Sequence, residues 1–104
     1  MEKLENEFHA AMEDIYHMAK RELHYSARRY LAMLRRRGGV ETAKRLLHSK
    51  QIAQGYTILE EANRLDLTVE ALVLKPEWRE LFTSEELQIA QKRLNEYHLH
   101  KPTV

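Results

Sequence analysis

Apolar positions along the chain recur at three- and four-residue intervals, which is the period of an α-helix. In the first twenty residues they are Leu4, Phe8, Ala11, Met12, Ile15 and Ala19. This spacing predicts a first helix from about Glu2 to Arg21, with a bend or a break around residues 24–26. A second helix is predicted over Ala27 to Arg37, with Ser26 as its N-cap. The pair Gly38–Gly39 ends it, because glycine readily takes the left-handed conformation at a helix C-terminus.

The rest of the sequence predicts shorter helices, and several of these are preceded by residues that favour the N-cap position. The predicted segments are Val40 to His48, a fourth helix ending near Leu65, Val69 to Leu74, a short turn from Pro76 to Leu81, and a last helix to about Tyr97. Thr57 with Glu60 has the spacing of a capping box for the fourth helix. Thr83 with Glu86 has the same spacing before the last helix. Thr68 alone is the predicted cap of the fifth helix.

These segments predict an all-α fold, because no stretch alternates apolar and polar residues as a strand does. We expect a compact bundle of five or six helices forming one domain over residues 1–104. An N-terminal helix or helix pair would fill residues 1–37, shorter helices residues 40–98, and a tail residues 99–104. The large apolar side chains predicted to lie in the core near the last helix are Trp78, Leu81 and Phe82.

Charge is distributed unevenly, although the formal net charge is only +1. Residues 1–19 carry a net charge of −4, residues 20–50 carry +8, and residues 51–104 carry −3. Four arginines of the predicted second helix fall within about a third of its circumference: Arg28, Arg29, Arg35 and Arg36. The candidate interaction patch is Arg28, Arg29, Arg35, Arg36, Lys44 and Arg45. Tyr25 is predicted to point the same way and to be able to stack on a nucleic-acid base.

Several interpretations of this basic patch remain open from the sequence. One interpretation is that the arginines form a solvated helix face. Another is that they bind the phosphates of a nucleic acid, to which guanidinium groups are well suited. They would equally suit a protein partner with an acidic surface. They would also pair with acids of the first and last helices, within one molecule or across a dimer, such as Glu5, Asp14, Glu85 and Glu86.

The stretch from Ala62 to Trp78 has the spacing of a helix-turn-helix, in which the helix after Thr68 would enter DNA. The positions that would face DNA are Thr68, Val69, Glu70, Val73 and Leu74. Most of these side chains are apolar and one is an acid, which phosphate repels. We therefore expect that this helix does not read DNA, and that its apolar side contacts the core or a partner.

Features of catalytic and metal sites are missing from the sequence. The chain has no cysteine, no glycine-rich phosphate loop and no nucleophile elbow. Six histidines are present, but they lack the spacing of a helical metal site, and Glu13 with His17 is expected to be a surface pair. We expect no enzyme activity, no cofactor and no small-molecule substrate. The absence of a long apolar run and of a signal peptide predicts a cytoplasmic protein without a membrane contact.

Three blocks of sequence together carry a family resemblance: GGVETAKRLL, GYTILEEANRLDLTVEALVL and LFTSEELQIAQKRL. They resemble an uncharacterised family of small helical bacterial proteins, in which a similar block also stands at the end of larger chains. The resemblance covers about Phe8 to Leu94. It implies a bacterial or bacteriophage source, and it brings no catalytic or binding residue with it.

The leading hypothesis from the sequence is a non-enzymatic module that acts by protein–protein interaction or by self-association as a homodimer. Its contact surface would include the second helix together with Val69, Val73 and Leu74. The alternative is a nucleic-acid-binding protein without sequence specificity that uses the basic face of residues 28–45.

Overall fold

A computed structural model of the chain describes residues 2–100, with side chains through residue 96. The α-helices of this part are α1 (Glu2–Leu23), α2 (Arg28–Arg37), α3 (Gly39–His48), α4 (Gln54–Glu61), α5 (Val69–Val73) and α6 (Ser84–His100). Two short 3-10 helices, Leu65–Leu67 and Pro76–Leu81, flank α5. The described residues contain no strand, which confirms the predicted all-α fold. The side chain of Tyr97 and most of the predicted tail lie outside the described residues.

The first two helices are separate, and the chain breaks between them where the sequence predicted a bend or a break. His24 takes a left-handed backbone conformation with φ of 55°, which ends α1. The predicted N-cap at Ser26 is wrong: Ala27 occupies that position, and no side chain caps α2. Instead the backbone N–H of Arg28 donates to the Ser26 carbonyl at 2.9 Å, so α2 begins on a backbone contact.

The two glycines between α2 and α3 are required for different structural reasons. Gly38 has φ of +85°, which a residue with a side chain rarely adopts, and its N–H donates to the Leu34 carbonyl at 2.9 Å. Gly39 is buried and begins α3, one residue before the predicted start. A Cβ on Gly39 would lie 2.7 Å from the Cα of His9. The backbones of α1 and α3 therefore approach each other so closely that only glycine fits.

Helix α4 departs from its prediction at both ends. It begins three residues before Thr57, with Ala53 at the N-cap, so Thr57 is an exposed residue inside the helix and the predicted capping box is wrong. The helix ends at Glu61, earlier than predicted, because Asn63 turns left-handed with φ of 62°. The N–H of Arg64 then donates to the Leu59 carbonyl at 2.8 Å, which is the backbone closure of a Schellman motif.

The caps of α5 and α6 agree with the sequence. Thr68 Oγ1 accepts a hydrogen bond from the N–H of Ala71 at 3.1 Å, and its hydroxyl donates to the Leu65 carbonyl at 2.7 Å. At the start of α6 the Thr83 N–H donates to Glu86 Oε1 at 2.9 Å, and the Glu86 N–H donates to Thr83 Oγ1 at 3.1 Å. This reciprocal pair satisfies two backbone donors that the helix start leaves free.

Two apolar clusters hold the helices together. The ring of Phe8 in α1 packs edge-on against Trp78 at 5.5 Å and against Phe82 at 5.2 Å between ring centroids. The main cluster also buries Met12, Leu34, Ala43, Leu47, Val69, Leu72, Val73, Leu81 and Ala90. The predicted core residues Trp78, Leu81 and Phe82 are thus confirmed. A smaller cluster forms where Ala19, Leu59 and Leu67 meet.

Replacing Gly39 by alanine is expected to lower the free energy of unfolding by about 1–3 kcal/mol, the usual cost of overpacking. The added Cβ would meet backbone atoms of His9, which cannot rotate away as a side chain does. Urea unfolding of the purified variant, followed by circular dichroism, measures the change.

The comparison variant is Gly55→Ala, in which the new Cβ would meet a side-chain atom, the hydroxyl of Tyr25, at 3.3 Å. We expect a smaller change there, because alanine also favours the helix by about 1 kcal/mol over glycine. A Gly39→Ala variant as stable as the wild type would refute the close approach of α1 and α3.

Candidate functional site

Helix α5, the second helix of the helix-turn-helix pattern, is buried. Thr68, Val69, Glu70 and Val73 are buried, with Val73 at 0% exposure, and Leu74 is half-buried against the main cluster. A helix in this position cannot enter a DNA groove. The expectation that Val69, Val73 and Leu74 contribute to a contact surface is therefore wrong, because these side chains belong to the core.

An ion pair that the sequence did not predict joins α5 to α6. Arg93 Nη1 lies 2.8 Å from Glu70 Oε2, and the two side chains are 12% and 7% exposed. The Arg93 guanidinium also donates to backbone carbonyls at the end of α3: Leu46 at 3.0 Å, Leu47 at 3.1 Å and Ser49 at 2.8 Å. Arg93 therefore closes the C-terminus of α3 from a different helix. The signal in the sequence was a charged residue next to the apolar stripe of each helix.

Tyr56 completes this polar cluster. Its hydroxyl donates to the backbone carbonyl of Arg93 at 3.0 Å. Burial, with the nearby Glu70 carboxylate as the second cause, raises the pKa of Tyr56 to about 12. The phenol stays neutral at physiological pH, so its role here is to donate a hydrogen bond.

Glu86 forms a second buried polar contact on the same side of α6. Its carboxylate is 5% exposed and accepts from Lys44 Nζ at 2.7 Å, while His48 Nε2 lies 2.8 Å away. Burial alone would raise the pKa of this carboxyl, but the hydrogen bonds from Lys44, from the Thr83 N–H and from His48 outweigh burial and lower the pKa to about 2. Glu86 is therefore ionised at neutral pH and links α3 to α6.

Lys44 consequently does not belong to the candidate patch. Its ammonium group binds Glu86 and also lies 5.4 Å from the centre of the Phe82 ring. This contact corrects the place of Lys44 in the predicted patch, whereas the internal pairing predicted from the sequence was for the arginines of the second helix. The other acids proposed as internal partners, Glu5, Asp14 and Glu85, are exposed and make no ion pair among the described side chains.

Four arginines of α2 do form an exposed surface, which we name the arginine face: Arg28, Arg29, Arg35 and Arg36. They surround the exposed Ala32 on the outer third of the helix. None of the four makes an ion pair with any carboxylate among the described side chains. Arg45 on α3 is exposed and equally without an ion pair in the described part of the chain.

The orientation of the arginine face is fixed from below by Tyr30. The Tyr30 hydroxyl donates to the Met12 carbonyl in α1 at 2.7 Å and lies 3.3 Å from the Met12 sulfur. Burial, together with the Glu13 carboxylate, raises the pKa of this phenol well above its ordinary value. Leu34, one turn further along, is fully buried. The inner side of α2 is thus held against α1, and the arginines remain on the outside.

Tyr25 does not join this surface, contrary to the prediction. It is half-buried, and its ring packs against the smaller cluster of Ala19, Leu59 and Leu67. Burial raises the pKa of its hydroxyl. Part of the ring is thus covered inside the fold and is not open to a base.

A half-open groove of about 350 Å³ lies between the start of α1 and the junction of α2 with α3. Its charged lining is mixed in sign and largely paired. His9 Nε2 lies 3.2 Å from Glu13, so Glu13 pairs with His9 and not with His17, and Arg37 lies 3.9 Å from Glu41. Within the described residues no cluster of three histidines or carboxylates could hold a metal ion.

Comparisons with known proteins do not assign this chain to a family. No protein-family model, no curated protein and no solved structure matches the chain. The resemblance to an uncharacterised bacterial family therefore stays an expectation from the three sequence blocks. Of the helices in residues 2–100, none is both long and apolar enough to span a membrane.

Replacing Glu86 by glutamine is expected to lower the free energy of unfolding at pH 6 by on the order of 2 kcal/mol. The folded-state pKa of Glu86 is about 2, below its ordinary 4.5. Its contribution is therefore complete above pH 4.5 and disappears as the pH falls toward 2. Urea unfolding of both proteins at several pH values between 3 and 6 measures the difference, in which the other carboxylates cancel.

Glu85→Gln is the matched control, because it removes the same charge from the same helical turn, where Glu85 is exposed. We expect little change in the free energy of unfolding for this variant at any of these pH values. A difference between wild type and Glu86→Gln that does not change with pH would contradict the buried, ionised carboxylate.

Proposed function

We propose that this chain is a non-enzymatic binding module that holds nucleic acid through its phosphates, without reading base sequence, by means of the arginine face. The observation that carries this proposal is the set of exposed guanidinium groups on one side of a fixed helix, with no carboxylate partner among the described side chains. Arg45 would extend the contact onto α3. A cytoplasmic location, expected from the sequence, is part of the proposal.

The chemistry of the arginine face favours phosphate. A guanidinium group offers two parallel N–H donors that match two phosphate oxygens. Because no carboxylate among the side chains of residues 2–96 pairs with the face, each arginine would bind phosphate without first breaking an ion pair there. Residues 20–50 carry a net charge of +8, so long-range attraction would bring a polyanion to this part of the surface.

Burial of α5 is the reason for preferring nucleic acid to a general protein partner, which was the leading hypothesis from the sequence. Stable protein interfaces have an apolar, desolvated core surrounded by polar residues. Among the described side chains only one large hydrophobic residue is exposed, Ile52 at 48%, in the loop between α3 and α4. A surface made of arginines around an alanine suits phosphate contacts better.

Electrostatic self-association is the second candidate, and the acidic start of α1 favours it. Glu2, Glu5 and Glu7 are exposed and make no ion pair within the described part of the chain. This acidic end of one copy would meet the arginine face of another, a head-to-tail contact held mainly by charge.

Fluorescence anisotropy of a labelled DNA duplex tests the leading proposal at low and near-physiological salt. Four phosphate contacts predict that log K falls against log salt with a slope of about −3.6. Reversing the arginine face to glutamate at all four positions is expected to abolish binding. Unchanged circular dichroism would show that the fold survives, which we expect because the positions are exposed.

The matched control reverses four exposed basic residues elsewhere on the surface: Lys3, Arg21, Lys75 and Arg79. Net charge changes by the same amount, so only the location of the charges differs between the two variants. Retained binding by the control supports the arginine face. No binding by the wild type at low salt, or equal loss in both variants, would refute the proposal.

Light scattering across micromolar concentrations tests self-association. Contact through opposite charges predicts a mass that rises with concentration at low salt and returns to the monomer at high salt. Replacing Glu2, Glu5 and Glu7 by glutamine should keep the protein monomeric under both conditions. A wild-type protein that is monomeric throughout would exclude this candidate and leave the nucleic-acid proposal untouched.

A further inference from the structure

The side chains described through residue 96 offer no exposed phenylalanine, tyrosine or tryptophan on which unpaired bases could stack. Proteins that bind single strands without sequence preference stack the bases on exposed aromatic rings. Among residues 2–96 every phenylalanine, tyrosine and tryptophan side chain is buried or half-buried. The two aromatic residues nearest the arginine face are both engaged, Tyr25 in the smaller cluster and Tyr30 with Met12. Toward a nucleic acid, the described part of this face therefore offers contacts to phosphate and no stacking on tyrosine.

The four arginines form two rows along the helix, and the two rows point in different directions around its axis. Arg28 and Arg35 make one row, and Arg29 and Arg36 make the other, displaced by about 100° around the helix axis. Within each row the two Cα atoms are about 10 Å apart along the helix, since seven residues rise about 1.5 Å each. A single strand presents one line of phosphates, whereas a duplex groove presents one line on each side of a helix that lies in it.

Ala32 lies between the two rows and is exposed. Its methyl group leaves the centre of the face low, so the helix could approach the floor of a groove while the arginines reach outward to both walls. The major groove of B-form DNA is about 12 Å wide and admits an α-helix. The deep, narrow major groove of duplex RNA does not.

On the basis of the proposed function, we propose that the arginine face binds double-stranded DNA, with α2 lying along the major groove and one row of arginines on each strand. The preference is for the duplex form and not for a base sequence, because the arginines contact phosphates, which carry no sequence information.

Competition anisotropy with three unlabelled 20-mers of equivalent sequence tests this inference: duplex DNA, single-stranded DNA and duplex RNA. We expect duplex DNA to compete about tenfold or more better than either of the others, because the other two lose one row of contacts or the groove. Removing one row, as Arg28→Ala with Arg35→Ala, should lower the duplex salt slope from about −3.6 to about −1.8. Removing the other row, Arg29→Ala with Arg36→Ala, should do the same.

Ala32→Phe distinguishes the two strand types by the sign of its effect. A bulky ring at the centre of the face would hold α2 away from the groove floor and weaken duplex binding. The same exposed ring would give a single strand a stacking surface and tighten its binding. Because Ala32 is exposed, the fold should tolerate the ring.

The possible outcomes separate this inference from the proposed function. Preference for duplex DNA with contributions from both rows supports both. Equal binding of single strands, a preference for RNA, or tighter duplex binding by Ala32→Phe overturns the duplex inference and leaves phosphate binding intact. If none of the three nucleic acids binds at low salt, the proposed function fails and the inference fails with it.

Discussion

The contact made by Arg93 is the constraint on which the arrangement of the C-terminal half depends. The Arg93 guanidinium joins the Glu70 carboxylate of α5 to carbonyls at the end of α3. The backbone carbonyl of Arg93 accepts a hydrogen bond from the hydroxyl of Tyr56 in α4. Four helices thus meet at one residue. Burying two charges is favourable only when their hydrogen bonds are satisfied, and loss of either partner leaves an unpaired charge inside. The relative placement of α3, α5 and α6 therefore depends on keeping both partners of this network.

The sequence predicted the helices and those caps that a side chain makes. Thr68 and Thr83 cap α5 and α6 because a hydroxyl oxygen meets a free backbone N–H within three residues, which is a local event. The predictions failed where the backbone alone forms the helix end. Ala53 begins α4, and Asn63 ends it by turning left-handed. Neither contact needs a particular side-chain oxygen, so residue type gave little indication of these boundaries.

The candidate site was predictable in the part that depends on helical period. Arginines opposite an apolar stripe remain outside whatever the tertiary structure, and the arginine face follows from that alone. Lys44 and Tyr25 required knowledge of distant partners. Glu86, which binds Lys44, is 42 positions further along the chain, and the ring of Tyr25 is covered by residues of α4 and of the segment after it. Sequence periodicity states which side of a helix is apolar, but not what approaches it.

Arg93 binds backbone carbonyls at the end of α3 and a side chain of α5. The residues that supply these acceptors therefore differ in how freely they can be substituted during evolution. Every amino acid carries a carbonyl, so the residues at the end of α3 can be exchanged without removing the acceptors that Arg93 uses. Glu70 has no such freedom, since its replacement leaves the guanidinium without a counter-charge. In related chains positions 70 and 93 should therefore change together, while Ser49 varies independently of both.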